Sequence, residues 1–203
     1  MQTPSSSVIA LYDQNASGWD EDRQYQRPAG EQRWIARFTG AAEPASQLLD
    51  LGCGAGQPIV PDLLAAGHRV TGIDGAASLI ALCRQRFADQ EWQVADMRGL
   101  NLGRVFGGVL AWHSLFHLSP DDQADMFPVF ARHLRPGAPL MFTSGTQRGE
   151  TLGRWRGKPL YHASLDLAEY EALLAANRLA LIGRVVDDPD CGGATIWLAR
   201  LAA

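Results

Sequence analysis

The stretch that most constrains this chain is residues 48–56, which read Leu-Leu-Asp-Leu-Gly-Cys-Gly-Ala-Gly. A short apolar run leads into a loop with glycine at every second position, and a helical pattern follows the loop. A strand, a bare-backbone turn and a helix in this order bring main-chain N–H groups close to a small polar ligand. The stretch therefore predicts a small-ligand site at the end of the first strand.

The spacing of the glycines separates the kinds of glycine-rich loop. A dinucleotide-binding loop follows Gly-x-Gly-x-x-Gly, which after Gly52 and Gly54 would put the third glycine at Gln57 instead of Gly56. A phosphate-binding loop ends in Gly-Lys-Ser/Thr, and no lysine follows Gly56. The spacing excludes a phosphate loop and disfavours a dinucleotide. It favours a loop around a compact zwitterion, with Asp50 just before it.

Two carboxylates follow the next two predicted strands. Residues 69–74 read as the second strand and end at Asp74, where an acid can accept hydrogen bonds from both hydroxyls of a ribose. Residues 92–95 read as the third strand, followed by Asp96 and Met97, whose carboxylate and backbone N–H can meet the amine and the ring of an adenine. Two acids behind a glycine loop are far more specific than any one of these features.

Residues 50–56, with Asp74 and Asp96, resemble motifs I, II and III of the class I S-adenosylmethionine-dependent methyltransferases. The resemblance implies an α/β fold, with a Rossmann-like, seven-stranded, mostly parallel sheet, helices on both faces and a C-terminal antiparallel hairpin over residues 180–186 and 195–201. It covers nearly the whole chain, as a single domain over residues 1–203. It also implies S-adenosylmethionine as the cofactor, with the loop holding its methionine end.

The fourth predicted strand, residues 105–112, is almost entirely apolar, as expected for a strand covered on both faces. Ligands of α/β sheets bind beyond the carboxyl ends of the strands, so the segment after it should line the reaction site. The cofactor-binding residues that the resemblance implies are Tyr12, Asp50, Gly52, Cys53, Gly54, Gly56, Asp74, Gly75, Asp96, Met97, Trp112 and His117.

Methyl transfer from a sulfonium is an in-line displacement, so the protein mainly positions donor and acceptor. A general base is needed only where the nucleophile carries a proton that must leave early. The candidates for that role are His117, His113, Tyr161 and His162. No metal is expected, because the three cysteines show no C-x-x-C spacing.

Two segments flank the motifs. Residues 1–40 carry apolar side chains at helical spacing and predict an N-terminal helical cap. Residues 145–163 fit no regular period and predict a long loop that serves as a lid on the acceptor side. Arg154 and Arg156 in that lid favour an anionic acceptor. Pro128 should kink or break the helix that begins after Ser119.

The composition and length of the chain limit which classes of binding partner are expected. A net charge of −4 without a basic run disfavours nucleic-acid binding. The sequence contains no run of 18 apolar residues, so no membrane span is predicted. It also shows no secretory signal, and a cytoplasmic protein is therefore expected. The chain offers little room for a macromolecule-recognition domain, which favours a small-molecule acceptor and a monomer or homodimer. Two alternatives stay open, an NAD-dependent oxidoreductase and a non-catalytic S-adenosylmethionine-binding protein.

Overall fold

A computed structural model describes residues 7–25 and 27–203; the first six residues of the predicted cap and residue 26 lie outside the described residues. The strands are β1 (Gln47–Leu51), β2 (Arg69–Asp74), β3 (Glu91–Val94), β4 (Val109–Ala111), β5 (Pro139–Ser144), β6 (Gly149–Trp155), β7 (Lys158–Ser164), β8 (Leu179–Asp188) and β9 (Ala194–Leu201). The helices are α1 (Ser7–Gln14), α2 (Ala16–Tyr25), α3 (Glu31–Ala41), α4 (Ile59–Ala65), α5 (Ala77–Arg86), α6 (Pro120–His133) and α7 (Leu167–Ala176).

Within the described residues, one sheet holds seven strands in the order β3-β2-β1-β4-β5-β9-β8. The first five of these strands pair in parallel, and β9 runs antiparallel between β5 and β8. The predicted fold class is therefore confirmed, including the C-terminal antiparallel hairpin. The strand order reverses between β1 and β4, the position where open α/β sheets bind their ligands.

The alternation of side chains along the central strands builds a core on each face of the sheet. Leu49 and Leu51 of β1 face a cluster that includes Phe127 of α6 and Tyr170 of α7. Leu48 faces the opposite cluster, with residues of α3 and α4. Because a strand points successive side chains to opposite faces, a continuous apolar run of this kind is covered by helices on both sides.

The fourth strand is shorter than the predicted 105–112. Only Val109–Ala111 pairs as a strand, and Phe106 forms an isolated parallel bridge with Leu134. The backbone of Phe106 donates to the carbonyl of His133 and accepts from the N–H of Arg135 instead. Phe106 therefore pairs with the segment around the end of α6, while the backbones of Gly107 and Gly108 already bond to β1.

The prediction of an irregular loop over residues 145–163 is wrong for most of that segment. Strands β6 and β7 form an antiparallel hairpin, in which Trp155 pairs with Lys158 across a two-residue turn. Arg156 and Gly157 both have positive φ, at 47° and 78°, as a type I′ turn requires. The Arg-Gly pair between residues able to form strands was the overlooked signal.

Helix α6 begins as predicted and does not break at Pro128. The Ser119 side chain accepts a hydrogen bond from the N–H of Asp122, with Pro120 at the first helical position. The helix continues through Pro128 to His133, with fully buried side chains on either side of the proline. Their packing outweighs the hydrogen bond that proline removes. None of the helices in residues 7–25 and 27–203 has the length and apolar character needed to cross a membrane.

Trp197 should be a major contributor to stability. Its ring is fully buried and stacks on Phe142 at a centroid distance of 5.7 Å and an angle of 4°. Its indole N–H donates to the Ser144 hydroxyl at 2.9 Å. Replacing a buried aromatic residue by alanine costs about 3–5 kcal/mol, so we expect Trp197→Ala to lower the free energy of unfolding by that amount in urea titrations.

The matched control is Val186→Ala in β8, whose side chain is 42% exposed. We expect this control to change the free energy of unfolding by less than about 0.5 kcal/mol. Equal losses in the two variants would contradict the assignment of the core.

Candidate active site

The loop after β1 and the segment after β4 meet closely. Gly52 has a φ of +73°, and a Cβ built there would lie 2.3 Å from Cβ of Ser114. The Ser114 hydroxyl donates to the carbonyl oxygen of Leu51 at 2.7 Å. Only glycine satisfies both the conformation and the space at position 52. These contacts bring the carboxyl ends of β1 and β4 to one point.

The glycine loop is docked onto the end of β2 by its own amides. The N–H groups of Gly52 and Cys53 donate to the carbonyl of Ile73 at 2.8 and 3.1 Å. The N–H of Gly54 donates to Oδ2 of Asp74 at 2.9 Å. These three amides are used within the protein, so glycines 52 and 54 contribute close backbone approach to the cavity beside them.

Asp74 closes the same contact from β2. Its Oδ1 accepts from the N–H of Ala76 at 2.8 Å, while Oδ2 accepts from Gly54. Burial raises the pKa of Asp74, and the two backbone N–H groups partly oppose that rise. The carboxylate retains lone pairs beyond these two bonds, and it lies on the wall of a cavity.

This inner cavity has a volume of about 90 Å³. Its wall is formed by the N-terminal cap, the glycine loop, the ends of β2 and β3, and the segment after β4: Val8, Ile9, Tyr12, Trp19, Gly52, Gly54, Ile73, Asp74, Gly75, Leu79, Ala95, Asp96, Met97, Arg98, His113, Ser114, His117 and Leu118. It therefore brings together Tyr12, Gly52, Gly54, Asp74, Gly75, Asp96, Met97 and His117 of the predicted cofactor-binding set.

Asp50 does not belong to this wall. Asp50 is part of β1 and is 3% exposed. Within the described residues, its carboxylate forms no hydrogen bond or ion pair. Burial, together with the nearby charge of Asp74, raises the pKa of Asp50 to about 7. A buried carboxyl group without a partner carries a desolvation cost that a cationic or hydrogen-bonding group would relieve.

Three further predicted residues, Cys53, Gly56 and Trp112, also lie outside the wall of the inner cavity. Cys53 is buried against Cys83 of α5. Gly56 lies against the ring of Phe87, which a Cβ at position 56 would approach to 2.8 Å.

Trp112 belongs to a buried polar cluster on the α3 side. Its indole N–H donates to the carboxylate of Glu31 at 2.7 Å, and Glu31 is also paired with Arg23 and Arg27. The structure gives the Trp112 side chain a packing and hydrogen-bonding role behind the cavity.

His117 joins three distant parts of the chain. Its Nδ1 lies 2.9 Å from the backbone carbonyl of Tyr161, and its Nε2 lies 2.8 Å from the hydroxyl of Tyr12. Because a carbonyl only accepts, Nδ1 carries the hydrogen, and Nε2 accepts from the Tyr12 hydroxyl when the ring is neutral. Burial lowers the pKa of His117 to about 4, although its bond to Tyr161 acts in the opposite direction.

His113 has free ring nitrogens. Neither forms a hydrogen bond to any described residue, while the backbone N–H donates to the Thr143 hydroxyl at 2.9 Å. The backbone φ is +52°, an uncommon conformation for a residue with a side chain, which often marks a functional site. Burial, with the nearby charge of Arg23, lowers the pKa of His113 to about 3, so the ring is neutral at physiological pH.

Two further spaces adjoin the inner cavity. An outer cleft of about 590 Å³ lies between the β6–β7 hairpin, the segment after β4 and the turn at residues 191–194. An aromatic pocket of about 230 Å³ is lined by rings that include Tyr12, Trp19, Phe116 and Trp155. His113 lies on the wall of all three spaces, and His162 on the walls of the outer cleft and the aromatic pocket.

Tyr161 lies behind these spaces. Its hydroxyl donates to Glu150 at 2.7 Å, and its side chain is buried against Val8. The contact of Tyr161 with the segment after β4 is through its backbone carbonyl, which accepts a hydrogen bond from His117.

The tip of the hairpin is fastened to the N-terminal cap. The indole N–H of Trp155 donates to Asp22 at 2.9 Å, and the guanidinium of Arg156 pairs with Asp22 and Glu21. Arg154 donates to the carbonyl of Gly157 within the turn. Neither arginine lines the inner cavity, the outer cleft or the aromatic pocket, so their charges give no support to an anionic acceptor.

Comparison with known proteins agrees with this geometry. A family model described as a methyltransferase domain matches residues 48–137, which span the glycine loop through the end of α6. The match supports a methyltransferase domain over these residues. The methyltransferase resemblance is thereby confirmed, and the NAD-dependent alternative finds no support in these matches.

Two curated relatives are named for methyl transfer to small molecules. A trans-aconitate 2-methyltransferase of Azoarcus sp. (strain BH72) is 34% identical over 128 residues, 60% of this chain and 49% of that protein. A dTDP-3-amino-3,6-dideoxy-alpha-D-glucopyranose N,N-dimethyltransferase of Streptomyces fradiae is 31% identical over 135 residues, 65% of this chain and 51% of that protein. The matched part therefore spans about half the length of these curated relatives.

Solved methyltransferase structures share the fold. The CcbJ methyltransferase from Streptomyces caelestis superposes with a TM-score of 0.76 at 19% identity, covering 94% of this chain and 97% of that chain. At this identity the likeness shows the fold alone.

Three features of the site were not predicted from the sequence. Ser114 fixes the loop after β1, Arg98 lies on the cavity wall, and the hydroxyl of Tyr12 bonds to His117. A serine or arginine near a strand end is too common to stand out in one sequence. The Tyr12–His117 contact joins residues 105 positions apart, which no local pattern reveals.

The depressed pKa of His117 should make stability depend on pH. Its pKa falls from 6.5 in the free side chain to about 4, so the folded state binds fewer protons than the unfolded state between these values. The contribution of His117 to the free energy of unfolding is therefore largely present above pH 6.5 and decreases as the pH falls. This group alone should lower the free energy of unfolding by about 2 kcal/mol between pH 7 and pH 5.

Urea unfolding at a series of pH values checks this expectation. His117→Gln should show a shallower decline than the wild type below pH 6.5, with the contribution of His113 remaining in both. Parallel declines in the two proteins would show that His117 does not titrate as the structure indicates.

Proposed function

We propose that this chain is a methyltransferase that uses S-adenosylmethionine and methylates a small-molecule acceptor. The observation that carries the proposal is the meeting of the glycine loop, Asp74 and Asp96 on the wall of one cavity at the switch point of the sheet. The named activities of the relatives, on trans-aconitate and on an amino sugar nucleotide, support a small acceptor.

The chemistry of the cavity fits this cofactor. Asp74 and Asp96 would hold the ribose hydroxyls and the adenine amine, because both are hydrogen-bond donors and both acids present acceptors. Asp50 is buried just before the loop and has no hydrogen-bond partner among the described residues, so a cationic methionine end bound nearby would favour its ionised form.

The room in the cavity requires a movement of α1. A volume of about 90 Å³ is smaller than the roughly 300–1,000 Å³ of ligand pockets. Ile9 lies against Gly75 so closely that a Cβ at position 75 would be 2.6 Å from the Ile9 Cδ1 atom. We propose that α1 shifts outward to admit the cofactor and that residues 1–40 act as a cap over it.

The bound cofactor supplies a methyl group already activated on a sulfonium, so the residues of the chain mainly position the acceptor. We propose that His113 contacts the acceptor, because its ring nitrogens are free and it lies where the inner cavity meets the outer cleft. His117 is already bonded through both nitrogens and shapes the boundary between these spaces. His162 lines the acceptor side, and Tyr161 acts through its carbonyl.

The outer cleft and the aromatic pocket provide the acceptor site in this proposal. The β6–β7 hairpin covers both, which supports the role of residues 145–163 as an acceptor-side lid. The three cysteines are buried and free, which supports a reducing, cytoplasmic location. We propose a monomer or homodimer that binds neither nucleic acid nor membrane, consistent with the net charge of −4.

Asp74→Ala should weaken cofactor binding. Loss of a buried hydrogen-bond partner costs about 1–3 kcal/mol, so calorimetry should show an S-adenosylmethionine affinity lower by about 5- to 150-fold. Asp89→Ala is the matched control, since Asp89 is an exposed acid outside the cavity. Unchanged affinity in the Asp74 variant would remove this residue from the site.

Turnover separates a methyltransferase from a protein that only binds the cofactor. We expect release of S-adenosylhomocysteine with at least one member of a panel of small carboxylic acids, amines and amino sugars. His113→Ala should lower that turnover by about 10-fold or more while leaving cofactor affinity within about 3-fold, because a lost positioning contact acts on the reaction step. Tight cofactor binding without turnover on any acceptor would favour the non-catalytic alternative.

A further inference from the structure

Arg98 donates hydrogen bonds to both carboxylate oxygens of Asp96, which follows β3. Its backbone N–H and its Nε each donate to Oδ1 at 3.0 Å, Nε also reaches Oδ2 at 2.9 Å, and Nη2 bonds to Oδ2 as well. Three N–H groups of one residue therefore make four contacts with the carboxylate, because the Nε hydrogen is shared between both oxygens. Three hydrogens meet about four lone-pair sites, which leaves room for about one further donor.

The guanidinium is itself held from the other side. Nη1 of Arg98 donates to Asp122 at 3.3 Å, in the first turn of α6. The N–H of Asp122 donates in turn to the hydroxyl of Ser119, which caps that helix. A chain of polar contacts thus runs from the start of α6 through Arg98 to Asp96.

The Arg98–Asp96 pair lies at the inner cavity. Asp96 and Arg98 both lie on the wall of the inner cavity, although their side chains are 37% and 31% exposed. A carboxylate this accessible would otherwise rotate and stay hydrated. Burial acts to raise the pKa of Asp96, but the hydrogen bonds from Arg98 outweigh it and hold the pKa below its usual value.

We propose that Arg98 is a positioning residue, which holds Asp96 in one orientation so that a single lone pair faces the cavity to accept the amine of an adenine. The proposal rests on the proposed use of S-adenosylmethionine. In this proposal the Arg98–Asp96 pair makes the site selective for adenine. A base that carries a carbonyl group in place of the exocyclic amine should bind less tightly. An acceptor facing a carbonyl oxygen is left unpaired and repelled, whereas an amine satisfies it.

Calorimetry with two ligands tests the proposal without any turnover. The ligands are S-adenosylhomocysteine and S-inosylhomocysteine, which differ at C6, where an amine is replaced by a carbonyl, and at N1, which carries a hydrogen only in the inosyl ligand. The wild type should bind the first more tightly by about 10-fold or more. In Arg98→Met the ratio of the two affinities should fall to about 3-fold or less, because Asp96 is then free to rotate. Arg98→Lys, which cannot form the bidentate contact, should give an intermediate ratio.

Two further variants keep the result interpretable. Asp122→Asn removes the outer anchor and should lower the ratio less than Arg98→Met does. Arg104→Met breaks a comparable surface pair with Glu91 away from the cavity and should leave the ratio unchanged. Thermal unfolding of each variant confirms that it is folded.

A wild-type protein that binds both ligands equally, or an Arg98→Met protein that keeps the wild-type ratio, would overturn the proposal while leaving the proposed function standing. A drop in both affinities by the same factor would also overturn it, since Arg98 would then contact a shared part of the ligands. A wild-type protein that binds neither ligand would remove the proposed function and this proposal with it.

Discussion

The docking of the glycine loop onto the end of β2 is the contact on which the rest of the site depends. The amides of residues 52 and 53 bond to the Ile73 carbonyl, and the amide of Gly54 bonds to the Asp74 carboxylate. This arrangement fixes the loop and orients Asp74 at the same time. It also explains the glycine at position 52, where the loop must approach Ser114 with a positive φ.

A second set of contacts, centred on His117, joins the elements that cover the site. The ring receives a hydrogen bond from the Tyr12 hydroxyl and gives one to the Tyr161 carbonyl, so it ties the N-terminal cap and the hairpin to the segment after β4. The hairpin tip is fastened to the cap again through Trp155 and Asp22. Cap and hairpin are therefore linked through this ring, and the proposed shift of α1 would have to change the Tyr12–His117 contact.

Much of the fold could be predicted because its signals are local. The glycine loop, the acids that end β2 and β3, and the apolar run near β4 lie within a short stretch, and the order of strands and helices follows from them. The segment after β5 could not be predicted, because β6 is mostly exposed and neither β6 nor β7 shows an alternating apolar pattern in the sequence. Its turn depends on two residues with positive φ, Arg156 and Gly157.

The site was predictable in outline and not in its contacts. Loop glycines and strand-end acids identify a site by position alone. Whether Asp50 or Trp112 lines the cavity or lies behind it depends on packing between distant elements, such as the hydrogen bond from Trp112 to Glu31 of α3. The role of Arg98 depends in the same way on Asp122 of α6, which approaches it only in the folded chain.

A crystal structure of the protein grown with S-adenosylhomocysteine tests the central claim most directly. The account predicts the ligand in the inner cavity, with its ribose hydroxyls on Asp74, its adenine amine on Asp96 and α1 displaced from Gly75. A structure in which the ligand lies elsewhere, or in which NAD takes the cavity and S-adenosylhomocysteine does not, would contradict it.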